Sequence, residues 1–292
     1  MSLIVITGQT ATGKTTLAVD MAKKCNGELV NFDSRQIYRH LDIITGKDLP
    51  PSEIHLYDIV TPDKYFSSYD YVVKARPVIE EIRGRGKTPI LVGGTYLYLK
   101  HLLYDFDVQA PPDFDLRKVL NKKTVPELQE KLMELSRTEM DTMNNSDRNN
   151  PRRLIRRIEI LSKVSKVSKG QSFRRTDLIK LNENYKSNKL GVTSFIGIKY
   201  KDKEKLIEAI KIRVSKRVEA GAVAEVQKLL RMGYGENDPG MKTIGYQEII
   251  KYLKGVISYE HAVEQWINHE VQYAKRQYTF MKKDINISWR EI

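Results

Sequence analysis

The stretch that decides the fold is Gly8-Gln9-Thr10-Ala11-Thr12-Gly13-Lys14-Thr15. It matches the pattern G-x-x-x-x-G-K-[ST] of a P-loop and lies between an apolar strand at 3–7 and a helix predicted for 14–24. The glycines let backbone N–H groups converge on phosphate oxygens, and the start of the following helix adds partial positive charge. We therefore predict that all eight residues form a site for two adjacent phosphates, with Lys14 neutralising their charge and the Thr15 hydroxyl as a ligand of Mg²⁺. The loop alone does not say which phosphate compound is bound, a diphosphate ester or a nucleotide. Because the same loop is typical of nucleotide-binding proteins, ATP binding is a further expectation.

Outward from this loop, strands and helices alternate as far as residue 110. Further strands are predicted at 28–32 and 89–92, with a helix at 69–83 between them, and sheet character returns at 194–198. Alternation of this kind is typical of a parallel sheet. The fold class is therefore α/β, a P-loop core with a parallel sheet, plus a helical insertion and a helical C-terminal part.

Residues 113–161 carry helical periodicity without any strand signal, which predicts the insertion. The predicted divisions are residues 1–111 for the first part of the core, 112–165 for the insertion, and 166–292 for the second part of the core with the C-terminal helices. The final stretch is predicted to be wholly helical. It closes with an amphipathic helix whose apolar stripe contains Val263, Ile267, Val271, Ala274 and Tyr278.

One acidic residue, Asp33, follows the second strand. Many P-loop NTPases hold magnesium with an acid at the end of an apolar strand, but here the strand at 89–92 runs into Gly93-Gly94. In an open parallel sheet the carboxyl ends of adjacent strands line one crevice, which would place Asp33 beside the loop. There it would take a proton or hold magnesium, unless it only caps the next helix.

Basic residues form the third signal. The chain has 50 Lys+Arg against 37 Asp+Glu, a formal net charge of +13, which indicates a polyanionic partner. Within 152–157, the residues Arg152, Arg153, Arg156 and Arg157 lie on one helical stripe, opposite apolar positions such as Leu154. This pattern favours contact with nucleic-acid phosphates over an ordinary solvated helix face.

Several classes of protein are disfavoured. Cys25 is the single cysteine, and His269-Glu270-Val271-Gln272-Tyr273 lacks the second histidine of a zincin motif, so neither a disulfide nor a zinc site is expected. No apolar run approaches the ~20 residues that span a bilayer, and the start has no leader-peptide pattern. We expect a cytoplasmic monomer that has no membrane partner.

Taken together, these segments resemble the tRNA dimethylallyltransferase (tRNA isopentenyltransferase) family. A bacterial type is expected, because these residues include no zinc finger like the one appended in eukaryotic relatives. The matching segments occur in the family's order and cover nearly the whole chain: 8–15, Asp33-Ser34-Arg35-Gln36-Ile37-Tyr38, Gly93-Gly94-Thr95-Tyr96-Leu97-Tyr98, 152–160, 242–247 and 272–277.

The resemblance implies transfer of a dimethylallyl group from dimethylallyl diphosphate to the exocyclic amine of the adenosine 3′ of the anticodon. It implies that Asp33 is the general base, that Thr10 contacts the donor near its bridging oxygen, and that Arg213 binds the diphosphate. These three are the implied catalytic residues. The insertion would close over the anticodon stem-loop of tRNA.

The resemblance also implies a set of tRNA contacts. They are Asp33, Ser34, Arg35, Gln36, Thr95, Arg117, Arg152, Arg153, Leu154, Ile155, Arg156, Lys242, Thr243, Ile244, Gly245, Tyr246 and Gln247. The chain departs from the family pattern at Asn149-Asn150-Pro151 and at Ala209, where relatives commonly carry an arginine. These departures affect the details of the insertion and the grip on tRNA.

Three other functions explain part of the sequence. A small-molecule kinase would use the loop and Asp33 but leave the arginine helix unexplained. A prenyltransferase acting on free AMP would share the loop. An ATP-gated RNA-binding switch would explain the charge and make Asp33 incidental.

Overall fold

The computed structural model describes residues 2–49, 53–104, 111–167 and 190–292. The chain divides into two compact units, Met1–Asp105 with Ser187–Ile292, and Phe106–Lys186. The boundaries drawn from the sequence, 111/112 and 165/166, stay a prediction, since both fall beside segments outside the described residues.

A parallel sheet forms the centre of the first unit. Its strands are β1 (Leu3–Gly8), β2 (Gly27–Asn31), β3 (Ile54–His55), β4 (Thr88–Val92), β5 (Val192–Lys199) and β6 (Ser288–Glu291), in the order β3-β2-β4-β1-β5-β6. All of the observed pairings are parallel, and every residue of β1 is buried. A strand with apolar neighbours on both faces suits a sheet that is covered on both sides. The α/β class and the four predicted strands are confirmed.

Two strands were not predicted from the sequence, and one of them contradicts the prediction for the C-terminal part. β3 has two residues, too few for a hydrophobic pattern. β6 shows that the C-terminal part is not wholly helical: Ser-Trp-Arg-Glu is a mostly exposed edge strand without an apolar run. It is held by pairing with β5, where Trp289 packs against the space left by Gly197.

Helices cover both faces of the sheet in the first unit. They are α1 (Lys14–Lys24), α2 (Ser68–Gly84), α3 (Tyr96–Tyr104) and, after the second unit, α9 (Lys203–Glu219), α10 (Ala222–Arg231), α11 (Tyr246–Leu253) and α12 (Tyr259–Met281). α2 starts at a capping box in which Ser67 and Asp70 satisfy each other's backbone N–H groups. One apolar cluster includes Ile6, Ala18 and Ile90 around β1, and a second includes Val214, Trp266 and Ala274 on α9 and α12.

The topology corrects one step of the sequence argument about Asp33. β2 is not adjacent to β1, because β4 lies between them and pairs with both. Asp33 therefore reaches the loop after β1 across the end of β4. That end is Gly93-Gly94, which places no side chain in the way.

The second unit is helical throughout its described residues, 111–167. It contains α4 (Phe114–Leu120), α5 (Val125–Leu135), α6 (Arg137–Thr142), α7 (Asn145–Arg148) and α8 (Pro151–Val167). α8 begins one residue before the predicted Arg152, with a proline in the first turn, where its missing N–H costs nothing. The apolar core of the second unit contains Leu120, Leu128, Leu132, Met140, Met143, Leu154, Ile155 and Ile158.

None of the helices within the described ranges combines the length and the apolar character that crossing a bilayer requires.

Candidate functional site

The loop between β1 and α1 is fixed by its own backbone. Gly8 has φ +133°, and a β-carbon there would lie 2.0 Å from the Ile198 carbonyl oxygen of β5, so only glycine fits. Gly13 adopts a left-handed conformation, φ +74°, directly before α1. The Thr12 hydroxyl donates to the Gln9 carbonyl at 2.8 Å, which ties the loop together. The predicted loop therefore lies at the N-terminus of a helix, where an anion is favoured.

A cleft of about 550 Å³ opens over this loop. Five segments of the first unit line it, together with Tyr57: the loop and the start of α1, the stretch from Asp33 to Asp48, the end of β4, one face of α9 and one face of α12. Polar lining residues are Thr10, Thr12, Lys14, Thr15, Thr16, Asp33, Gln36, Asp42, Thr45, Lys47, Asp48, Tyr57, Arg213, Lys216, Arg217, Tyr273 and Gln277. A cleft of this size has room for a small diphosphate.

Cations gather on one side of the cleft. Lys14 donates to the Gln9 carbonyl at 2.5 Å, and the Arg213 guanidinium donates to the Thr10 hydroxyl. Burial and the nearby Arg213 charge lower the pKa of Lys14 to about 7, although Asp33 and Glu270 oppose the shift. Without an anion in the cleft, Lys14 is therefore only partly protonated near neutral pH.

Thr10 offers a ligand its hydroxyl rather than its amide. The Thr10 N–H already donates to Gln277 Oε1 at 2.8 Å, and Gln277 Nε2 donates to the Gly94 carbonyl at 3.1 Å. Through these two hydrogen bonds, the buried Gln277 links the loop to the end of β4. A β-carbon on Gly94 would lie 2.3 Å from Gln277 Nε2 and 3.5 Å from Asp33 Oδ2. Gly94 thus keeps room for both side chains.

Asp33 is held in a defined orientation at the end of β2. Its N–H donates to Asn31 Oδ1 at 2.8 Å, and its own Oδ1 accepts from the Arg35 N–H at 2.9 Å. Its other oxygen, Oδ2, lies toward Gly94 and the cleft. Burial and the Asp33 charge raise the pKa of Tyr273, which lines the same cleft. No helix begins after Asp33 within described residues 34–49, so the alternative that it caps the next helix is wrong. Its side chain instead holds a local turn and has access to the cleft, and its chemical role stays a prediction.

The remaining predicted positions near Asp33 are also ordered. Thr95 Oγ1 accepts from the Ser34 N–H at 2.9 Å and donates to the Ser34 hydroxyl. Arg35 donates to the Pro239 carbonyl at 3.3 Å, and Gln36 donates to the Gly46 carbonyl at 2.8 Å. Their roles in tRNA binding stay a prediction.

The segment Lys242–Gln247 is mostly internal. Tyr246 is fully buried and donates to Glu225 at 2.5 Å, and the buried Thr243 donates to the Gly240 carbonyl. Gln247 donates to the Met241 carbonyl at 2.8 Å, whereas Lys242 is exposed. Gly245 N–H donates to Glu248. Of these predicted tRNA contacts, Lys242 offers the most accessible charge.

In the second unit, buried carboxylates hold several of the arginines. Glu159 is fully buried and accepts from Arg117 Nε at 2.6 Å and Nη2 at 2.9 Å, and from Arg156 at 3.0 Å. Arg153 pairs with Asp147, and Arg152 is exposed. Part of the predicted stripe therefore has a structural partner, which the sequence reading did not anticipate.

Leu154 and Ile155 are also predicted tRNA contacts. Both side chains are buried in the apolar core of the second unit. Burial makes their side chains inaccessible within this unit, and their predicted role in tRNA binding stays a prediction.

The cleft offers oxygen ligands that suit Mg²⁺ when a phosphate compound is bound with it. No group of three or more His, Cys, Asp and Glu side chains within the described residues could hold a metal alone. The Thr15 hydroxyl lines the cleft, and so do Asp33 and Asp48. Mg²⁺ usually takes one or two protein oxygens together with substrate phosphates and water, so this donor set suits it.

Sequence reasoning missed several residues of the cleft, among them Arg217 and Tyr273. Arg217 is buried and lies one helical turn after Arg213 on α9, and Tyr273 lies on α12. Glu270, one turn before Tyr273 on α12, is the hydrogen-bond partner of Arg217. The spacing of Arg213 and Arg217, four residues on one helix, was the available signal. Glu270 was visible only within the rejected zincin motif.

Comparison with known proteins gives a consistent family. The model of the IPP transferase family matches residues 36–284. The tRNA dimethylallyltransferase of Caldanaerobacter subterraneus subsp. tengcongensis is 35% identical over 298 aligned positions, which cover 99% of this chain and 91% of that protein.

Two solved structures resemble the whole chain. One is the full-length tRNA isopentenylpyrophosphate transferase of Bacillus halodurans, with a TM-score of 0.68 and 32% identity, covering 99% of this chain and 89% of that one. The other is a eukaryotic dimethylallyltransferase acting on tRNA, with a TM-score of 0.78 and 25% identity, covering 100% of this chain and 74% of that one.

Proposed function

Because the chain belongs to the IPP transferase family of tRNA dimethylallyltransferases, we propose that it transfers a dimethylallyl group from dimethylallyl diphosphate to a tRNA adenosine. The acceptor is the exocyclic amine of the adenosine 3′ of the anticodon, and diphosphate is released. One observation carries the proposal: a single cleft contains a phosphate-binding loop, two cations beside Thr10, and a carboxylate. These are the groups that alkylation of an amine by a diphosphate ester requires.

The cationic side of the cleft binds the donor and stabilises the leaving group. As the bond between C1 of the dimethylallyl group and oxygen breaks, negative charge accumulates on the diphosphate. Lys14, Arg213 and the amides of the loop stabilise this charge, and such preorganised groups are worth most in a water-poor site. Thr10, whose hydroxyl already contacts Arg213, lies where the bridging oxygen would be held.

The carboxylate of Asp33 acts on the nucleophile, the adenine amine, and not on the leaving group. An adenine amine is a weak nucleophile, and its proton becomes acidic only as the new C–N bond forms. Asp33 Oδ2 accepts that proton, while the electrons of the broken C–O bond leave with the diphosphate. The acceptor base must be unstacked to reach the cleft, as enzymes that act on bases require.

Magnesium and the tRNA complete the proposal. Thr15 would hold Mg²⁺ together with the donor phosphates, and the bound ion would supply additional charge neutralisation. The exposed Arg152, Arg153 and Lys242 bind the anticodon stem-loop. A net charge of +13 favours such a polyanionic partner. A monomeric state and a cytoplasmic location belong to the same proposal.

The test is an incubation of the full chain with dimethylallyl diphosphate, Mg²⁺ and unmodified tRNA. Released diphosphate and tRNA nucleosides are measured together, the latter by mass spectrometry. We expect one dimethylallyl adenosine per diphosphate, and none with a tRNA carrying guanosine 3′ of the anticodon. Parallel reactions replace the donor with ATP or the tRNA with AMP. ADP formed from ATP would favour the kinase, prenylated AMP the free-nucleotide enzyme, and absence of any product the switch.

A further inference from the structure

Arg217 is a buried cation whose role the proposed chemistry leaves open. It lies on α9, one turn beyond Arg213, with a side chain only 8% exposed. Its Nη1 donates to Glu270 Oε1 at 3.3 Å. Its Nη2 atom is buried and has no hydrogen-bond partner among the described residues. An unsatisfied donor of this kind is costly to bury and calls for a partner.

The unsatisfied atom lies beside the other cations of the cleft. Arg217 lines the cleft, and a β-carbon built on Gly46 would lie 2.4 Å from its Nη2 and 2.9 Å from Nη2 of Arg213. The two guanidinium groups therefore converge on the same point of the main chain. The buried Arg217 and the partly buried Arg213 repel each other, and burial and the charge of Arg213 lower the pKa of Arg217 to about 10. An anion bound between them would relieve this repulsion.

The contact with Glu270 does not account for this arrangement by itself. A structural pair of arginine and carboxylate is strongest when two parallel N–H groups contact both oxygens. Here one N–H reaches one oxygen, and the same Oε1 also lies 3.4 Å from the Trp266 indole N–H. Glu270 instead orients Arg217 and leaves its second terminal nitrogen toward the cleft.

We propose that Arg217 binds phosphate oxygens of the donor diphosphate through Nη2, alongside Arg213. The assignment rests on the proposed function, because it takes the diphosphate ester as the anion. It adds a diphosphate-binding residue on α9 that the sequence did not reveal. Arg213 then acts near Thr10, and Arg217 acts on the part of the diphosphate beside Gly46.

Calorimetry with inorganic diphosphate and Mg²⁺, using the full chain, measures this role directly. Arg217→Met should weaken binding about 10-fold to 100-fold, the range expected for removal of a charge-assisted hydrogen bond. Lys211→Met is the matched control, since it removes one charge from an exposed position of the same helix outside the cleft lining. It should change binding less than about 2-fold. Equal affinity of Arg217→Met and wild type would overturn the assignment.

A double variant separates binding from folding. Arg217→Met combined with Glu270→Gln leaves no unpaired carboxylate, so thermal unfolding should be closer to wild type than for Arg217→Met alone. Compared with Glu270→Gln, the double variant should still bind diphosphate about 10-fold more weakly or worse. If it binds as Glu270→Gln does, Arg217 serves only the ion pair. If wild type itself does not bind diphosphate, the proposed function fails, whatever Arg217 does.

Discussion

Lys14 links diphosphate binding to pH. In the free cleft its pKa is lowered to about 7, first by burial and then by the Arg213 charge. A diphosphate beside the ammonium compensates for the missing solvation and opposes Arg213, so it raises the pKa again. Above pH 7, each binding event must therefore take up a proton at Lys14. Affinity should fall as the pH rises, because proton uptake grows more costly.

The size of the fall in affinity follows from the change in the pKa of Lys14. If the bound donor restores Lys14 to the ordinary lysine pKa of about 10.4, affinity for dimethylallyl diphosphate should fall on the order of 50-fold between pH 7 and pH 9. The donor contributes little, because a terminal phosphate with a pKa near 6 is already ionised in this window. Calorimetry without tRNA, in two buffers of different ionisation enthalpy, should give uptake of close to one proton at pH 8.5.

Lys14→Met supplies the control for this linkage. It should bind the donor more weakly at pH 7, and its affinity should be nearly flat to pH 9, since binding no longer takes up a proton at position 14. A wild-type affinity that is constant from pH 7 to 9 would refute the reasoning. A fall of equal steepness in Lys14→Met would refute the assignment of the proton to Lys14.

Three further outcomes test the site. Asp33→Asn should lower kcat about 10²-fold to 10⁴-fold with tRNA affinity within a few-fold, and a variant keeping more than about a tenth of wild-type kcat would exclude Asp33 as the base. Gly94→Ala should lower kcat/KM about 10-fold to 100-fold, because its β-carbon would displace Gln277. Gly84→Ala, with nothing within 4 Å, should match wild type in the same assay. Arg152→Gln with Arg153→Gln should reduce the slope of log K for tRNA against log salt by about one for each tRNA phosphate that the variant no longer neutralises, and Lys122→Gln should not. An unchanged slope would mean that these arginines contact no phosphate.

Much of the first unit followed from local patterns. The loop 8–15 is specified by sequence spacing alone, and β1 and β4 are continuous apolar runs in a covered parallel sheet. β6 could not be predicted, since its stability comes from pairing with β5 and from Trp289 filling the space at Gly197. The order of β2 and β4 is likewise a tertiary property that periodicity does not encode.

The arginines of α8 also show what local sequence cannot predict, in this case which charges are already paired. A stripe of arginines predicted nucleic acid because acids are scarce nearby in sequence. The carboxylates that hold these arginines come from other helices or from the opposite face: Glu139 pairs with Arg157 across α6 and α8, and Glu159 is buried beneath Arg156. Counting charges along one helix therefore overestimates how many are available to a partner. Arg152, exposed at the start of α8, best retains its predicted role.

The cleft separates two charges that the reaction needs apart. A general base must remain ionised yet must not neutralise the cations that receive the leaving group. Cations on the loop and α9 line the side of the cleft where the proposed diphosphate would bind, whereas Asp33 is oriented by the backbone N–H of Arg35 at the end of β2. Gly94 and Gln277 occupy the space between, and Gln277 takes the Thr10 amide while leaving its hydroxyl to Arg213. Thr10 thus lies at the boundary between the two regions, with its amide bound to Gln277 and its hydroxyl bound to Arg213. In the proposed reaction, this hydroxyl would contact the bridging oxygen of the donor.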